Sequence, residues 1–346
     1  MDKREQAEFV SYDEIKSNYL LLRMINHNQI TAQIKPISEA DSIKDFINLS
    51  KIDLTNPPFK KLEGNARKTV GLSNESRVGN KFIDYFTFEE RLATKSRKGM
   101  NFYEFVCDLK YQARPYIKNL LVKQEHLKIN ELTKLYRIYS LHCGSVALFK
   151  PLKAIELYKR FNPSVAVLDP CMGWGGRMVG AVVAKVPQYI GIDLNVNLKE
   201  PYKKMIDKLN ELTTGSDHGQ KGTTNIETHF CDAVTFDYSK LSYDMILTSP
   251  PYYNIELYSC CASRTKKEWN EEFYRPLFMT VWKHLLIKGW MCLNISQAIY
   301  GEIFIEMFGL ADEIIPMSLK VRPCMLVKNV TEFVYCWQKP IPKGPP

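Results

Sequence analysis

The chain has 346 residues, of which 45% are hydrophobic and 25% charged, the mix of an ordinary globular protein and not of a disordered, collagen-like or coiled-coil one. At about 150 residues per domain, this length predicts two domains or one domain with a large extension. The formal charge of +9 is uneven: residues 1–59 carry 7 Lys/Arg against 9 Asp/Glu, residues 60–137 carry 17 against 9, and residues 138–346 carry 23 against 20. A localised basic excess fits a nucleic-acid backbone, because each phosphate contact releases a counterion; a solvated helix surface fits it equally well. No stretch approaches the roughly 18 apolar residues of a membrane span. The opening MDKREQAEF lacks a secretory apolar run, so an intracellular protein is expected. Nine cysteines without a C-x-x-C pair, and scattered histidines, predict neither a disulfide framework nor a metal site.

In chain order, residues 1–55 carry apolar positions at mostly helical spacing. The segment KFIDYFTFEERLATKSRKGMNFYEF (81–105) is both aromatic and basic. Phe82, Tyr85, Phe86 and Phe88 read as an apolar helix face, and Arg91, Lys95, Arg97 and Lys98 as a loop run that touches phosphates. Helices are predicted over 131–142 and 151–161, with Pro151 suited to a first turn. Strands then alternate with helices: VAVLD (165–169), YIGID (189–193), IETHFCD (226–232), YDMILTS (243–249) and GWMCLNIS (289–296). SLKVRP (318–323) and EFVYCWQ (332–338) read as a terminal hairpin-type pair, and the ending from Lys339 as frayed. The pattern predicts an α/β fold: a Rossmann-like sheet over 139–339 with helices on both faces, behind a mainly helical, basic region over 1–138 that reads the target, with a tail at 340–346. Such sheets bind ligands at the carboxyl ends of their strands.

The first strand runs into Asp169-Pro170-Cys171-Met172-Gly173-Trp174-Gly175-Gly176. Glycines there let backbone pass close to a ligand. Asp193 ends the next strand, where a carboxylate accepts hydrogen bonds from both ribose hydroxyls of an adenosine. The dinucleotide pattern G-x-G-x-x-G is not met, and Asp-Pro is wrong for a pyrophosphate loop. Asp169 beside the turn suits an ammonium, such as that of S-adenosylmethionine, and Asp232 after the third strand can meet an adenine amino group.

The fourth strand ends in Ser249-Pro250-Pro251-Tyr252. Two prolines fix an extended turn and remove two N–H donors. The acceptors at Ser249 and the Pro250 carbonyl, with the aromatic face of Tyr252, suit a planar base carrying an exocyclic amine. Two acceptors localise the nitrogen lone pair and aim it at a sulfonium methyl, so positioning does most of the work.

VLDPCMGWGG, GIDLN, FCDA and YDMILTSPPY, in that order, resemble motifs I, II, III and IV of the exocyclic amino methyltransferases of DNA, the N4-cytosine and N6-adenine enzymes. Phe149-Lys150-Pro151 is similar to their motif X, giving the γ-type order over residues 140–338. DPCMGWGGR with TSPPYYNIELYS is further similar to the methylases of phages and large DNA viruses. The resemblance implies S-adenosylmethionine as cofactor, held by Phe149, Lys150, Pro151, Asp169, Pro170, Cys171, Gly173, Gly175, Asp193, Leu194, Asp232 and Ala233. It implies catalysis by Ser249, Pro250, Pro251 and Tyr252 on a base flipped out of duplex DNA, without a metal. Serine at the first motif IV position favours cytosine N4 over adenine N6. Cys171-Met172 replaces the usual phenylalanine of motif I. No long insert for target recognition follows motif IV, which passes that role to the N-terminal region. RNA as substrate, a catalytically silent nucleic-acid-binding partner subunit, and a side-chain amide as methyl acceptor are the alternatives. Asn56-Pro57-Pro58-Phe59 matches the motif IV pattern in a polar context and reads as a surface turn. Cys171 and Cys324, each after a proline, read as small apolar residues.

Overall fold

The alternation of apolar runs and helices builds one mixed sheet of seven strands, seen in a computed structural model that describes residues 27–52, 76–96, 98–144, 146–214, 223–253, 264–318 and 331–342. The N-terminal helices are α1 (His27–Ile34), α2 (Glu39–Ser50), α3 (Asn80–Ala93), α4 (Phe102–Cys107), α5 (Leu109–Gln112), α6 (Pro115–Val122) and α7 (Glu131–Tyr139), which runs on into a π turn at Ser140–Gly144. Next come α8 (Pro151–Phe161), β1 (Val167–Asp169), α9 (Gly176–Ala184), β2 (Gln188–Asp193), α10 (Lys199–Thr214), β3 (Asn225–Phe230) and β4 (Met245–Thr248). The helical run α11 (Lys266–Glu268), π turn Trp269–Tyr274 and α12 (Arg275–His284) leads to β5 (Trp290–Ile295). Short turns α13 (Gln297–Ile299), a π turn at Tyr300–Phe304 and α14 (Ile305–Phe308) precede β6 (Glu313–Ser318) and β7 (Thr331–Gln338).

The strand order is β3-β2-β1-β4-β5-β7-β6. Strands β1 to β5 are parallel, and β7 runs antiparallel between β5 and β6. The chain starts at β1, grows outward through β2 and β3, then returns to β4 on the other side of β1. The carboxyl ends of β1 and β4 therefore flank the point where the strand order reverses, the place where open α/β sheets form a ligand crevice.

Successive strand residues point to opposite faces, which splits the core in two. Val167, Tyr189, Met245, Leu247, Cys292 and Val334 pack under α8, α9 and α10 on one face. Leu168, Ile190, Ile192, Ile246, Met291 and Leu293 pack under α12 and the π turns on the other. A third cluster joins Ile30, Phe88, Leu92, Phe102, Phe105, Leu135, Ile138 and Cys143. Helix α3 spans two of these clusters: Phe82 and Ile83 belong to the sheet's core, Phe88 and Leu92 to the helical satellite. Each fully buried phenylalanine contributes about 1.5–3 kcal/mol, so α3 fastens the N-terminal helices to the α/β layer. Cys143 still belongs to the satellite, and Val146 packs with the sheet's core.

A strand that the sequence did not announce runs over Glu313–Ser318; of the strand expected over 318–323, residues 319–323 lie outside the described residues. Pro316 argues against a strand, yet β6 is the sheet edge, where a missing N–H costs no ladder bond. Lys339, expected to fray, is held: its N–H donates to the Gly289 carbonyl, and its ammonium donates to the carbonyls of Trp282, Lys283 and Leu285 at the end of α12. A lysine there answers the negative end of the helix dipole. Asn56 to Phe59, Arg97 and Cys324 lie outside the described residues. Among the described residues no helix is long and apolar enough to cross a membrane.

Candidate active site

A cavity of about 420 Å³ opens at the carboxyl ends of the parallel strands. Its wall brings together residues that the sequence holds far apart: Phe149 and Lys150, the turn Pro170-Cys171-Met172-Gly173, Asp193 and Leu194, Asp232 and Ala233, and Ser249 to Tyr252.

The glycine turn is held in left-handed backbone at Gly173 (φ 57°) and Gly175 (φ 93°), conformations that cost a side-chain-bearing residue energy. A Cβ placed on Gly173 would meet nothing closer than 3.9 Å, so this face of the turn is open to a ligand. Gly176 does something else: a Cβ there would fall 1.8 Å from the Phe149 carbonyl oxygen. Phe149 and Lys150 thus lie across the start of α9, and Gly180 continues the close approach against Ala154 and Pro151.

Asp193 closes the turn. Its carboxylate accepts from the Gly173 N–H at 2.8 Å and the Asn195 N–H at 2.9 Å. Burial pushes this carboxyl up to about 6, against the pull of those two donors. Each of its oxygens accepts one of these bonds and has capacity for another, and the residue lines the cavity. Asp232 accepts from the Val234 N–H at 2.9 Å and lines the cavity beside Ala233. Cys171 lines it as well, with burial pushing its thiol well above the ordinary range.

Asp169 departs from expectation. It is fully buried and takes no part in the cavity wall. Arg177 Nε donates to it at 2.6 Å and the Tyr189 hydroxyl at 2.7 Å, while Arg177 also donates to the Cys171 carbonyl and lies over the Phe149 ring. The carboxylate that the sequence offered to an ammonium is therefore neutralised by an arginine eight residues on. Pro151 and Gly175 likewise stand behind the wall.

On the β4 side, the Ser249 hydroxyl lies 3.3 Å from Asn294 Oδ1. The Tyr252 hydroxyl donates to the Asn294 backbone carbonyl at 2.9 Å and lies 3.5 Å from Glu332 Oε1, which fixes the ring. The Pro251 carbonyl accepts from the Tyr274 hydroxyl. That tyrosine ends the π turn, which also presents Trp269 and Phe273 to the cavity; π turns recur at functional sites. Asn294, Met317, Glu332 and Lys153 also line the cavity. No motif announces them: each comes singly from β5, β6, β7 or α8. Among the described residues no group of three or more His, Cys, Asp or Glu side chains is placed to hold a metal.

The basic run splits. Arg91 points inward, paired with Asp84 and over the Phe88 ring, and is not available to phosphates; Asp84 also takes Lys35 at 2.6 Å. Lys95 is exposed and pairs with Glu104 at 3.3 Å. Lys98 is exposed.

No protein-family model matches this sequence, and no curated protein does. Among solved structures the chain is similar to TrmN from Thermus thermophilus (18% identity, 55% of this chain and 48% of that one, TM-score 0.35). It is also similar to a putative RNA methyltransferase from Pyrococcus horikoshii (14%, 55% and 84%, 0.35) and to a putative methyltransferase from Streptococcus mutans in complex with SAH (12%, 51% and 89%, 0.32). The chain spans less than half the length of the Thermus protein.

Proposed function

We propose that this chain is an S-adenosylmethionine-dependent methyltransferase acting on the exocyclic amino group of a nucleic-acid base, cytosine N4 in DNA being the favoured target. The observation that carries the reading is that Ser249 to Tyr252 at the end of β4 share one cavity with the β1 glycine turn and Asp193. The residues present fit the cofactor: the open face of Gly173 leaves room for it, Asp193 offers two acceptors to a ribose, and Asp232 stands where an adenine amine would follow. S-adenosylmethionine supplies an activated methyl group on a sulfonium. Ser249 and the Pro250 carbonyl accept the two N–H bonds of the target amine, and Tyr252, anchored at Asn294, stacks on the ring. The Pro251 carbonyl accepts from Tyr274, and the Pro250 carbonyl is the one assigned to the amine. The exposed Lys98 and the basic N-terminal half support a nucleic-acid substrate.

Incubation with labelled S-adenosylmethionine and duplex DNA tests this, with Ser249→Ala alongside. Wild type should label DNA, and the variant should bind S-adenosylhomocysteine normally while turning over far more slowly. Near-normal turnover in Ser249→Ala overturns the assigned role.

A further inference from the structure

The cavity wall carries a second charged pair. Lys153, on α8 one turn after Lys150, is 7% exposed and places its ammonium 3.8 Å from Glu332 Oε2. The Glu156 and Glu332 carboxylates both favour its charge, and burial opposes it and prevails, lowering the Lys153 pKa. The lysine is buried while the glutamate is half-buried, and a buried ammonium held this loosely regains little of its lost hydration unless further partners complete its hydrogen bonds. Both members line the cavity, where ligand atoms can supply those partners. A ligand that satisfies both carries an anion for Lys153 and a cation for Glu332 on adjacent atoms, as a free α-amino acid does.

Resting on the methyltransferase reading, we infer that Lys153 and Glu332 form the subsite for the amino-acid end of the cofactor, Lys153 taking its carboxylate and Glu332 its ammonium. Asp169, the acid the sequence offered for this ammonium, is sealed behind Arg177 and Tyr189. Glu332 also lies against the Tyr252 hydroxyl, so the same carboxylate touches the amino-acid subsite and the residue that stacks on the target base.

Calorimetric titration of the full chain with S-adenosylhomocysteine and with 5′-methylthioadenosine, which lacks the amino-acid group, tests the inference without any methyl acceptor. Wild type should bind the first at least about tenfold more tightly, the scale of one charge-assisted hydrogen bond. Lys153→Met and Glu332→Gln should each cut that preference to about threefold or less and leave 5′-methylthioadenosine affinity unchanged. That unchanged affinity also reports that the variants fold. A preference retained in both variants overturns the inference, as does its loss in Asp169→Asn alone or an equal loss of affinity for both ligands. If wild type binds neither nucleoside, the cofactor reading itself fails.

Discussion

The Phe149 carbonyl oxygen sits where a Cβ on Gly176 would have to be, 1.8 Å from that position. The segment before α8 and the glycine turn after β1 are thereby locked into one cavity wall. Neither partner can move without moving backbone. Gly176→Ala should therefore destabilise the protein by about 1–3 kcal/mol and abolish measurable S-adenosylhomocysteine binding. Gly301→Ala, where an added Cβ meets nothing within 4 Å, is the matched control and should be near neutral. Thermal unfolding with and without ligand measures both. Equal effects of the two substitutions would contradict the wall.

On the proposed ribose assignment, Asp193 should make ligand affinity depend on pH. The folded protein holds this carboxyl at about 6, above its ordinary 3.8. Native chains therefore keep the proton more readily than unfolded ones. Its ionisation weakens the ligand-free fold as pH rises from about 4 to about 6, and that loss is complete above it. Ribose hydroxyls donate to the ionised form, so S-adenosylhomocysteine affinity should climb through about pH 6 and level off. Asp193→Ala should lose at least about tenfold in affinity at neutral pH and flatten the curve. Calorimetry between about pH 5 and 8 gives the profile; a flat wild-type profile would sink the ribose assignment.

Arg177 and Asp169 answer one another inside the protein. Removing the arginine as Arg177→Met leaves a fully buried carboxylate with only the Tyr189 hydroxyl as donor, which should cost about 3–5 kcal/mol in denaturant unfolding. A loss below about 1 kcal/mol would mean that the pair does not carry the turn.

Two neighbouring cations should part company. Lys98→Gln should weaken duplex binding and lower the salt-dependence slope by about one contact. Arg91→Ala should leave that slope alone and lower stability instead, by about 1–3 kcal/mol, since Asp84 keeps Lys35. Salt titrations of DNA affinity on both variants decide this. A slope change in Arg91→Ala would return it to the interface.

Much of the α/β layer was legible in the chain because its strands are short apolar runs ended by turn residues. Val167 to Asp169 and Met245 to Thr248 are wholly buried, and such runs announce themselves. Strand β6 escaped because Pro316 reads as a breaker, and only its place at the sheet edge makes the proline tolerable. The cavity wall was legible where a motif places several of its residues together, as at Gly173 and Ser249. It was silent where one residue per strand contributes: nothing around Asn294 or Glu332 marks them before the sheet sets β5 beside β4 and β7 beside β5. Arg177 reads as an ordinary first-turn helix residue, and only the fold turns it back onto Asp169. Arg91 misled for the same reason, since a charge within a basic run does not tell which way its helix face turns.

The most direct test of the central claim is nucleoside mass spectrometry after incubation with labelled S-adenosylmethionine and, in parallel, duplex DNA, single-stranded DNA and RNA. Label should appear in DNA, recovered as N4-methylcytosine and much reduced with Ser249→Ala. Label in N6-methyladenine would keep the amine chemistry and change the base, and label in RNA alone would change the substrate. Nucleic acids that all stay unlabelled by a protein that still binds S-adenosylhomocysteine would contradict the claim.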